Sequence, residues 1–328
     1  MQEKILEMLK QEKENGYVSG QELCERLGVS RTAVWKVIRQ LKEAGYVIDS
    51  VPNRGYRLCE SPDVLSHAEV AALLRTSWLG QKLYCLEETD STNIQAKRLA
   101  EEGAPEGTLV IADMQSAGKG SRGRCWESPK GTGIFMSAVF RPKLLPVKAS
   151  MITLVAAYSI ASELRKTYGL DVKIKWPNDI VLNRKKIVGI LTEMSSEMDF
   201  IHYIVTGIGI NVNMEKFPEE LADKATSLYM ESGTRFQRAK LAASFLNRME
   251  KDYEQFAAQG SLAFLKDAYN EMLINRGETV RILQYQGEWC GIARGINENG
   301  ELLVEKSDGT IREVFSGEVS VRGLYSYV

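Results

Sequence analysis

Residues 118–126 read GKGSRGRCW, and the three glycines of this stretch fall on the G-x-G-x-x-G spacing of dinucleotide-binding turns. That fingerprint requires a strand before it, a helix directly after it and an acidic residue about 20 positions further on. Residues 108–115 (TLVIADMQ) predict the strand, but a second run of strand formers, residues 134–140 (IFMSAVF), takes the place of the helix. The stretch is therefore predicted to be a glycine-rich loop between two strands, which disfavours a nicotinamide or flavin site.

The glycine-rich loop is positively charged. It carries Lys119, Arg122 and Arg124 on a backbone rich in N–H groups, which suits an anion. Further polar residues concentrate at residues 91–93 (STN), 175–179 (KWPND), 184–186 (RKK) and 207–211 (GIGIN). Cations combined with uncharged amides and hydroxyls suit a ligand that joins a polyphosphate to a neutral polar ring. The sequence offers no Ser-His-Asp set, metal cluster or carboxylate pair for hydrolytic or redox chemistry.

The composition is that of an ordinary globular protein. Its 328 residues include 42 Lys and Arg against 43 Asp and Glu, so any attraction to nucleic acid must be local. The five cysteines are odd in number and lack C-x-x-C spacing, which argues against a disulfide framework or a zinc site. Because no apolar run of about 18 residues and no signal-peptide pattern is found, we expect a soluble cytoplasmic protein without a membrane partner.

The first 60 residues predict a small helical domain. Residues 3–14, 20–28 and 31–45 form three helical patterns, and Ser30 is placed to cap the third. Four aliphatic residues of the third helix stand at i, i+3, i+4 and i+7, which predicts a buried stripe opposite a polar, basic face. Residues 46–58 (YVIDSVPNRGYRL) then indicate two strands around a turn. Together these patterns predict a winged helix-turn-helix.

This segment carries a local positive charge. Between Arg26 and Arg57, seven basic residues stand against two acidic ones, an excess of five. We therefore expect the third helix to lie in a DNA major groove with the wing beside it. The alternative is a helical interaction module with a solvated basic face, but turn, helix and wing in this order favour DNA. The candidate DNA-binding residues are Ser30, Arg31, Thr32, Trp35, Lys36, Arg39 and Arg54.

Two further domains follow a linker that contains Pro62, and we expect the domains at residues 1–62, 66–272 and 275–328. The middle domain alternates helices and strands too irregularly for repeated βαβ units, which predicts an α+β fold with a mixed sheet. After Asn275, short strands separated by Gln-Gly, Asn-Gly and Asp-Gly turns predict a small β-barrel.

Five motifs stand in an order and spacing that resembles the biotin–protein ligases: STN, QSAGKGSRGRCW, KWPND, KKIVGILTE and GIGIN. With the winged helix in front, the chain resembles the bifunctional members that also repress the biotin operon. The resemblance covers nearly the whole chain. It implies a central domain like that of class II synthetases and a C-terminal SH3-like β-barrel.

The resemblance also implies a reaction. Biotin and ATP, with Mg²⁺, form biotinyl-5′-AMP and pyrophosphate, and a lysine of a biotin carboxyl carrier protein then takes the biotinyl group. The implied carriers belong to acetyl-CoA carboxylase and pyruvate carboxylase. Adenylate that no carrier consumes acts as corepressor, favouring a homodimer that binds operator DNA.

Site residues are carried over from the family motifs. Lys186 matches the lysine that contacts the biotin carboxylate and the phosphoryl group; the other implied catalytic residues are Arg122, Arg124 and Asp179. The biotin-binding residues are Ser91, Thr92, Asn93, Gln115, Lys119, Gly120, Ser121 and Lys186. The adenylate-binding residues are Lys119, Arg122, Arg124, Trp126, Asn178, Asp179 and Asn211, with Asp179 acting through Mg²⁺.

Several of these residues have plainer alternatives. For Lys186 the alternative is one more solvated lysine of a basic turn, for Ser91 and Thr92 an ordinary helix cap, and for Trp126 and Trp176 a place in the core. Many family members carry arginine where this chain has Ser121. Two other functions stay open at this stage: a ligand sensor with an inactive ligase fold, and a lipoate ligase.

Overall fold

The computed structural model describes residues 1–11, 16–284, 287–315 and 320–323. The side chains of Gln11, Arg122, Gln284 and residues 320–323 lie outside that description. The N-terminal part consists of three helices and an antiparallel hairpin: α1 (Gln2–Gln11), α2 (Gly20–Leu27), α3 (Arg31–Glu43), β1 (Val47–Val51) and β2 (Gly55–Glu60). Residues 12–14 of the first predicted helix fall outside the described residues.

Helix α3 forms as its sequence predicts. The hydroxyl of Ser30 accepts a hydrogen bond from the backbone N–H of Ala33, which satisfies one of the free donors at the helix start. The aliphatic stripe is buried, and it consists of Val34, Val37, Ile38 and Leu41. The opposite face is exposed, so the winged helix-turn-helix prediction is confirmed in its elements and in the side that it presents to solvent.

The central part is built on one seven-stranded mixed sheet of order β3-β4-β5-β9-β8-β7-β6. Within this sheet β3 and β4 pair in parallel, and the other pairs are antiparallel. The strands are β3 (Leu83–Thr89), β4 (Leu109–Gln115), β5 (Gly133–Phe140), β6 (Lys173–Lys175), β7 (Asp179–Leu182), β8 (Lys185–Ser196) and β9 (Ile201–Asn211). The mixed α+β fold is confirmed, and residues 116–132 form the predicted loop between two strands.

Helices cover both faces of this sheet. Helices α6 and α9 pack against each other in the main core, and α5 packs with β4, β5 and β9 on the opposite face. The helices are α4 (His67–Ala71), α5 (Thr92–Glu101), α6 (Met151–Tyr168), α7 (Glu219–Ala222), α8 (Leu228–Ser232), α9 (Arg238–Gln259) and α10 (Lys266–Met272). Among the described residues, one helical stretch, Pro146–Tyr168, is long and apolar enough to cross a membrane, but 67% of it is buried inside the protein. That burial is typical of a core helix.

Strands β6, β7 and β8 form the predicted meander. The turn between β7 and β8 contains Asn183 and Arg184, with φ of 49° and 64°. Two successive residues with positive φ make the tight turn that suits a two-residue hairpin. The turn folds β8 back onto β7, which brings Lys186 beside Asp179.

The C-terminal part is a five-stranded antiparallel sheet of order β13-β12-β11-β10-β14. Its strands are β10 (Thr279–Gln284), β11 (Gly287–Ile296), β12 (Leu302–Glu305), β13 (Ile311–Val314) and β14 (Ser320–Gly323). Its inner residues join the main core of the central part. The indole of the fully buried Trp176 donates to the carbonyl of Gly300 at 3.0 Å, so this side chain is a core residue between the two parts.

Candidate ligand-binding site

A cavity opens at one end of the central sheet, where the start of α5 faces strands β4, β8 and β9 and the glycine-rich loop. It brings together most of the predicted site residues. Its lining is Ser91, Thr92, Asn93, Gln115, Lys119, Gly120, Ser121, Trp126, Asn178, Lys186, Gly189, Ile190, Leu191, Gly207, Ile208 and Gly209.

The α5 side of the cavity is fixed by hydrogen bonds. The side-chain oxygen of Gln115 accepts from the backbone N–H of Thr92 at 2.8 Å and from its hydroxyl at 3.1 Å. The Gln115 amide nitrogen donates to the hydroxyl of Ser128 at 2.9 Å. Ser91 precedes α5, but its side chain makes no capping bond, so the helix-cap interpretation of its hydroxyl does not hold.

Asn93 is held from two sides. Its side-chain oxygen accepts from the hydroxyl of Ser137 at 2.6 Å, and its amide nitrogen donates to Glu193 at 2.8 Å. Burial tends to raise the pKa of Glu193, but hydrogen bonds from Lys97 and Asn93 and the charges of Lys97 and Lys119 hold that pKa below its ordinary value. The carboxylate therefore stays ionised and keeps the Asn93 amide oriented.

Three strand glycines form the floor of the cavity. A Cβ atom on Gly207 would stand 1.9 Å from the side-chain oxygen of Asn93. Cβ atoms on Gly189 and Gly209 would each stand 2.6 Å from the indole of Trp126. These glycines were not predicted as site residues, although a glycine inside a strand often marks a close approach. GIGIN and KKIVGILTE contain that signal.

Lys186 lies at the charged end of the cavity. Its ammonium nitrogen is 2.5 Å from a carboxylate oxygen of Asp179 and 5.1 Å from the centre of the Trp126 ring. Only 22% of the Lys186 side chain and 12% of the Asp179 side chain are exposed. The backbone N–H of Lys186 also donates to the carbonyl of Lys224 at 2.8 Å. These contacts do not fit a solvated surface lysine.

The described residues provide few ligands for a metal ion. No group of three or more His, Cys, Asp or Glu side chains is close enough together among them to hold one. The carboxylate of Asp179 is engaged by Lys186, and the amide of Asn178 donates to the carbonyl of Ile190 at 3.0 Å. A Mg²⁺ ion here would therefore take most of its oxygens from phosphates and water, as Mg²⁺ commonly does.

Some predicted residues do not face the cavity. The exposed guanidinium of Arg124 donates to the carbonyl and the hydroxyl of Ser121, at 3.1 and 2.9 Å. The buried amide of Asn211 donates to the carbonyl of Thr226 at 3.0 Å. The side chain of Arg122 lies outside the described part of the chain. Roles for these three residues stay predictions.

The N-terminal basic surface is ordered by aromatic contacts. The guanidinium of Arg39 lies 5.1 Å from the centre of the exposed Trp35 ring on α3. The guanidinium of Arg54, at the wing, lies 4.6 Å from the centre of the Tyr17 ring. The hydroxyl of Tyr17 donates to Asp49 at 2.6 Å. Helix α3 and the wing thus present basic side chains on one domain.

Comparison with known proteins agrees with this architecture. Residues 84–211 match the Biotin/lipoate A/B protein ligase family, residues 1–57 match an HTH domain, and residues 277–322 match the biotin protein ligase C-terminal domain.

Similar proteins span nearly the whole chain. The bifunctional ligase/repressor BirA of Bacillus subtilis is 40% identical over 94% of both chains. BirA of Escherichia coli is 34% identical over 93% of this chain and 92% of its own. The structure of the Aquifex aeolicus biotin protein ligase with biotin and ATP is 33% identical, with a TM-score of 0.66 over 74% of this chain and 99% of that one. The chain therefore belongs to the biotin/lipoate A/B protein ligase family.

Proposed function

We propose that this protein is a biotin–protein ligase that also represses transcription. It joins biotin to ATP as biotinyl-5′-AMP, releases pyrophosphate, and transfers the biotinyl group to a lysine of a biotin carboxyl carrier protein. The observation that supports this function most strongly is one cavity that holds Lys186 at one end and a buried set of hydroxyls and amides at the other. The ligase/repressor BirA relatives, similar along more than nine tenths of the chain, support the second activity.

The charged end suits the first step. Adenylate formation brings the biotin carboxylate to the α-phosphate, and two anions repel unless fixed cations neutralise them. Lys186 is held inside the cavity by Asp179, and in the proposed reaction it exchanges that partner for the two substrate anions. Lys119 lines the same cavity and adds a second cation. Mg²⁺, when bound to the phosphates of ATP, would supply further charge neutralisation, with Asp179 as its protein carboxylate.

The neutral end suits the ureido ring of biotin. The side-chain amide of Gln115 is already bonded to Thr92 and Ser128, and that of Asn93 is bonded to Glu193. We therefore assign Gln115 and Asn93 a positioning role and leave direct contact to the hydroxyls of Ser91 and Thr92. A site whose polar groups are oriented before the ligand arrives loses less entropy on binding.

The proposed domain division supports two partners. We propose a DNA-binding domain at residues 1–62, a catalytic domain at 66–272 and a C-terminal domain at 275–328. Carrier proteins of acetyl-CoA carboxylase and pyruvate carboxylase are the proposed acceptors. Biotinyl-5′-AMP is the proposed corepressor, and it favours a homodimer that places two winged helices on one operator.

The ligase function is tested with purified protein, radiolabelled ATP and a carrier domain. We expect biotin-dependent labelling of the adenylate and biotinylation of the carrier. Label formation that depends on lipoate instead would identify a lipoate ligase. Absence of adenylate with either acid, from a protein that still binds biotin, would identify a ligand sensor and contradict the ligase function.

The repressor function is tested by gel shift with DNA from upstream of a biotin synthesis gene. We expect binding to tighten when biotin and ATP are both present. Replacing Lys36 or Arg39 by alanine should lower the slope of log affinity against log salt by about one for each phosphate that is no longer neutralised. Lys240→Ala, an exposed lysine of α9, is the control. Salt slopes equal to wild type in all three variants would contradict DNA binding by α3.

A further inference from the structure

Arg238, the first residue of α9, is a fully buried cation that the proposed chemistry does not use. Its guanidinium makes two ion pairs: Nη1 lies 2.5 Å from Asp113 and Nε lies 3.0 Å from Asp63. Nη1 also donates to the carbonyl of Gly133 at 3.1 Å, and Nη2 to the carbonyl of Asp63 at 2.8 Å. A guanidinium stays protonated and presents its donors in a rigid planar fork, so these partners are held at fixed spacing.

The partners of Arg238 lie where the central sheet opens. Strands β4 and β5 pair from Leu109–Ala138 to Ala112–Phe135, and their pairing ends there. Beyond that point β4 pairs with β3, whereas β5 pairs with β9. Asp113 on β4 lies one position past the last pair, and Gly133 on β5 lies two positions past it. Arg238 therefore bridges the gap where backbone pairing stops.

The two halves of the sheet carry opposite walls of the ligand cavity. The β3–β4 half ends in Gln115, two residues after Asp113. The β5–β9–β8 half carries the glycine floor and Lys186. The glycine-rich loop, residues 116–132, leaves one half and enters the other. The position of Arg238 thus sets how far apart the two walls stand.

The third partner of Arg238 belongs to another part of the chain. Asp63 lies in the segment between the wing and α4, and Asn213, just after β9, donates to the same carboxylate at 3.0 Å. The backbone N–H of Asn213 donates in turn to the carbonyl of Thr132, the last residue of the loop, at 2.7 Å. One buried cation therefore joins the linker of the winged helix to the strands on both sides of the glycine-rich loop.

We propose that Arg238 is a positioning residue that sets the width of the biotin-adenylate cavity through Asp113 and Gly133, and attaches that cavity to the winged-helix linker through Asp63. This role rests on the proposed ligase and repressor functions. It predicts that the two carboxylates serve different readouts: Asp113 serves ligand binding, and Asp63 serves the effect of ligand on DNA binding.

The test uses the full-length protein with Asp113→Asn, Asp63→Asn and Arg238→Lys. Each aspartate variant keeps an acceptor for the guanidinium, so it keeps much of the packing. Asp252→Asn is the matched control, because Asp252 is also buried on α9 and pairs with Arg248 at 2.8 Å. The measurements are KM for biotin, kcat of adenylation, the dissociation rate of biotinyl-5′-AMP, operator affinity with and without ligand, and the unfolding midpoint.

Asp113→Asn should raise KM for biotin and the adenylate dissociation rate by about tenfold or more, since small misplacements of a site can cost up to about 10²-fold. Asp63→Asn should leave both within about twofold while reducing the ligand-driven gain in operator affinity by about fivefold or more, within the usual range of coupling between sites. Arg238→Lys, which keeps the charge but removes the fork, should show both defects, and Asp252→Asn neither.

Unfolding midpoints separate this role from simple stabilisation. If the aspartate variants lower the midpoint as Asp252→Asn does but leave the ligand and DNA measurements at wild-type values, Arg238 is merely structural and the inference is overturned. A wild-type protein that forms no biotinyl-5′-AMP would instead overturn the proposed function.

Discussion

The neutral and charged ends of the cavity are built on different kinds of structure. At the neutral end, Thr92 and Gln115 lie on a helix and a strand, and their polar atoms are bonded to each other and to buried neighbours. At the charged end, Lys119 lies on the glycine-rich loop, and Arg124 is exposed and bonded to Ser121. Lys186 differs from both loop cations because it combines a charge with a position on a strand.

The difference follows from the cost of burying each kind of group. A buried hydroxyl or amide needs only one or two hydrogen bonds, which the protein supplies itself. A buried cation without an anion costs far more, so it keeps a carboxylate partner, as Lys186 keeps Asp179, or stays in water. Recognition of the neutral ring is therefore ready before binding, whereas charge neutralisation requires partner exchange and movement of the loop.

The largest effect is expected from Lys186→Ala. Removing this fixed cation should lower kcat/KM for adenylation by about 10²- to 10³-fold, the usual loss for one preorganised electrostatic interaction. Pyrophosphate exchange measures it. Lys185→Ala is the control, because the Lys185 ammonium donates to the carbonyl of Ala222 outside the cavity. A loss below about threefold in Lys186→Ala would break the distinction between the fixed cation and those on the loop.

The next effect tests how rigid the neutral end is. In Gly207→Ala the new methyl group overlaps Asn93, which Ser137 and Glu193 hold in place. We expect biotin affinity to fall by about 10- to 100-fold, from about 1–3 kcal/mol of overpacking. Calorimetric titration with biotin measures it. Gly20→Ala, where the nearest atom to a Cβ lies at 3.7 Å, is the control. Unchanged affinity in Gly207→Ala would mean that Asn93 moves freely.

Thr92→Val should give a smaller loss at the same end. The variant keeps the shape of the side chain but removes the hydroxyl that Gln115 and Ser137 contact. Leaving buried polar groups without a partner costs about 1–3 kcal/mol, which corresponds to about 5- to 150-fold in biotin affinity. ATP affinity should stay at the wild-type value because the charged end is untouched. Equal losses for biotin and ATP would argue that the two ends are not independent.

The N-terminal domain could be predicted from the sequence because its signals are local. The cap at Ser30, the αL glycine after α2 and the turn before Gly55 each act within a few residues. The hairpin that presents Lys186 was predictable for the same reason, since Asn183 and Arg184 make the turn themselves.

Residues whose place depends on distant parts of the chain were predicted less well. Trp176 was expected either beside the adenylate or in the core, and its partner Gly300 lies 124 residues away. Strand β3 and helix α4 were not predicted, and neither was the role of the floor glycines. Arg238 gave no local signal, because its partners Asp63 and Asp113 are more than 100 positions distant.

The smallest effect is expected from Arg124→Ala, which tests the cations of the loop. An exposed charge contributes up to about 1 kcal/mol, so the dissociation rate of biotinyl-5′-AMP should rise by about two- to fivefold. The increase should shrink at high salt, because exposed charges are screened. Stopped-flow chase with excess unlabelled biotin measures the rate. Lys130→Ala, in the same loop but paired with Glu87 at 3.6 Å, is the control. A dissociation rate equal to wild type at low salt would remove Arg124 from adenylate retention and leave Lys119 and Lys186 as the cations that hold it.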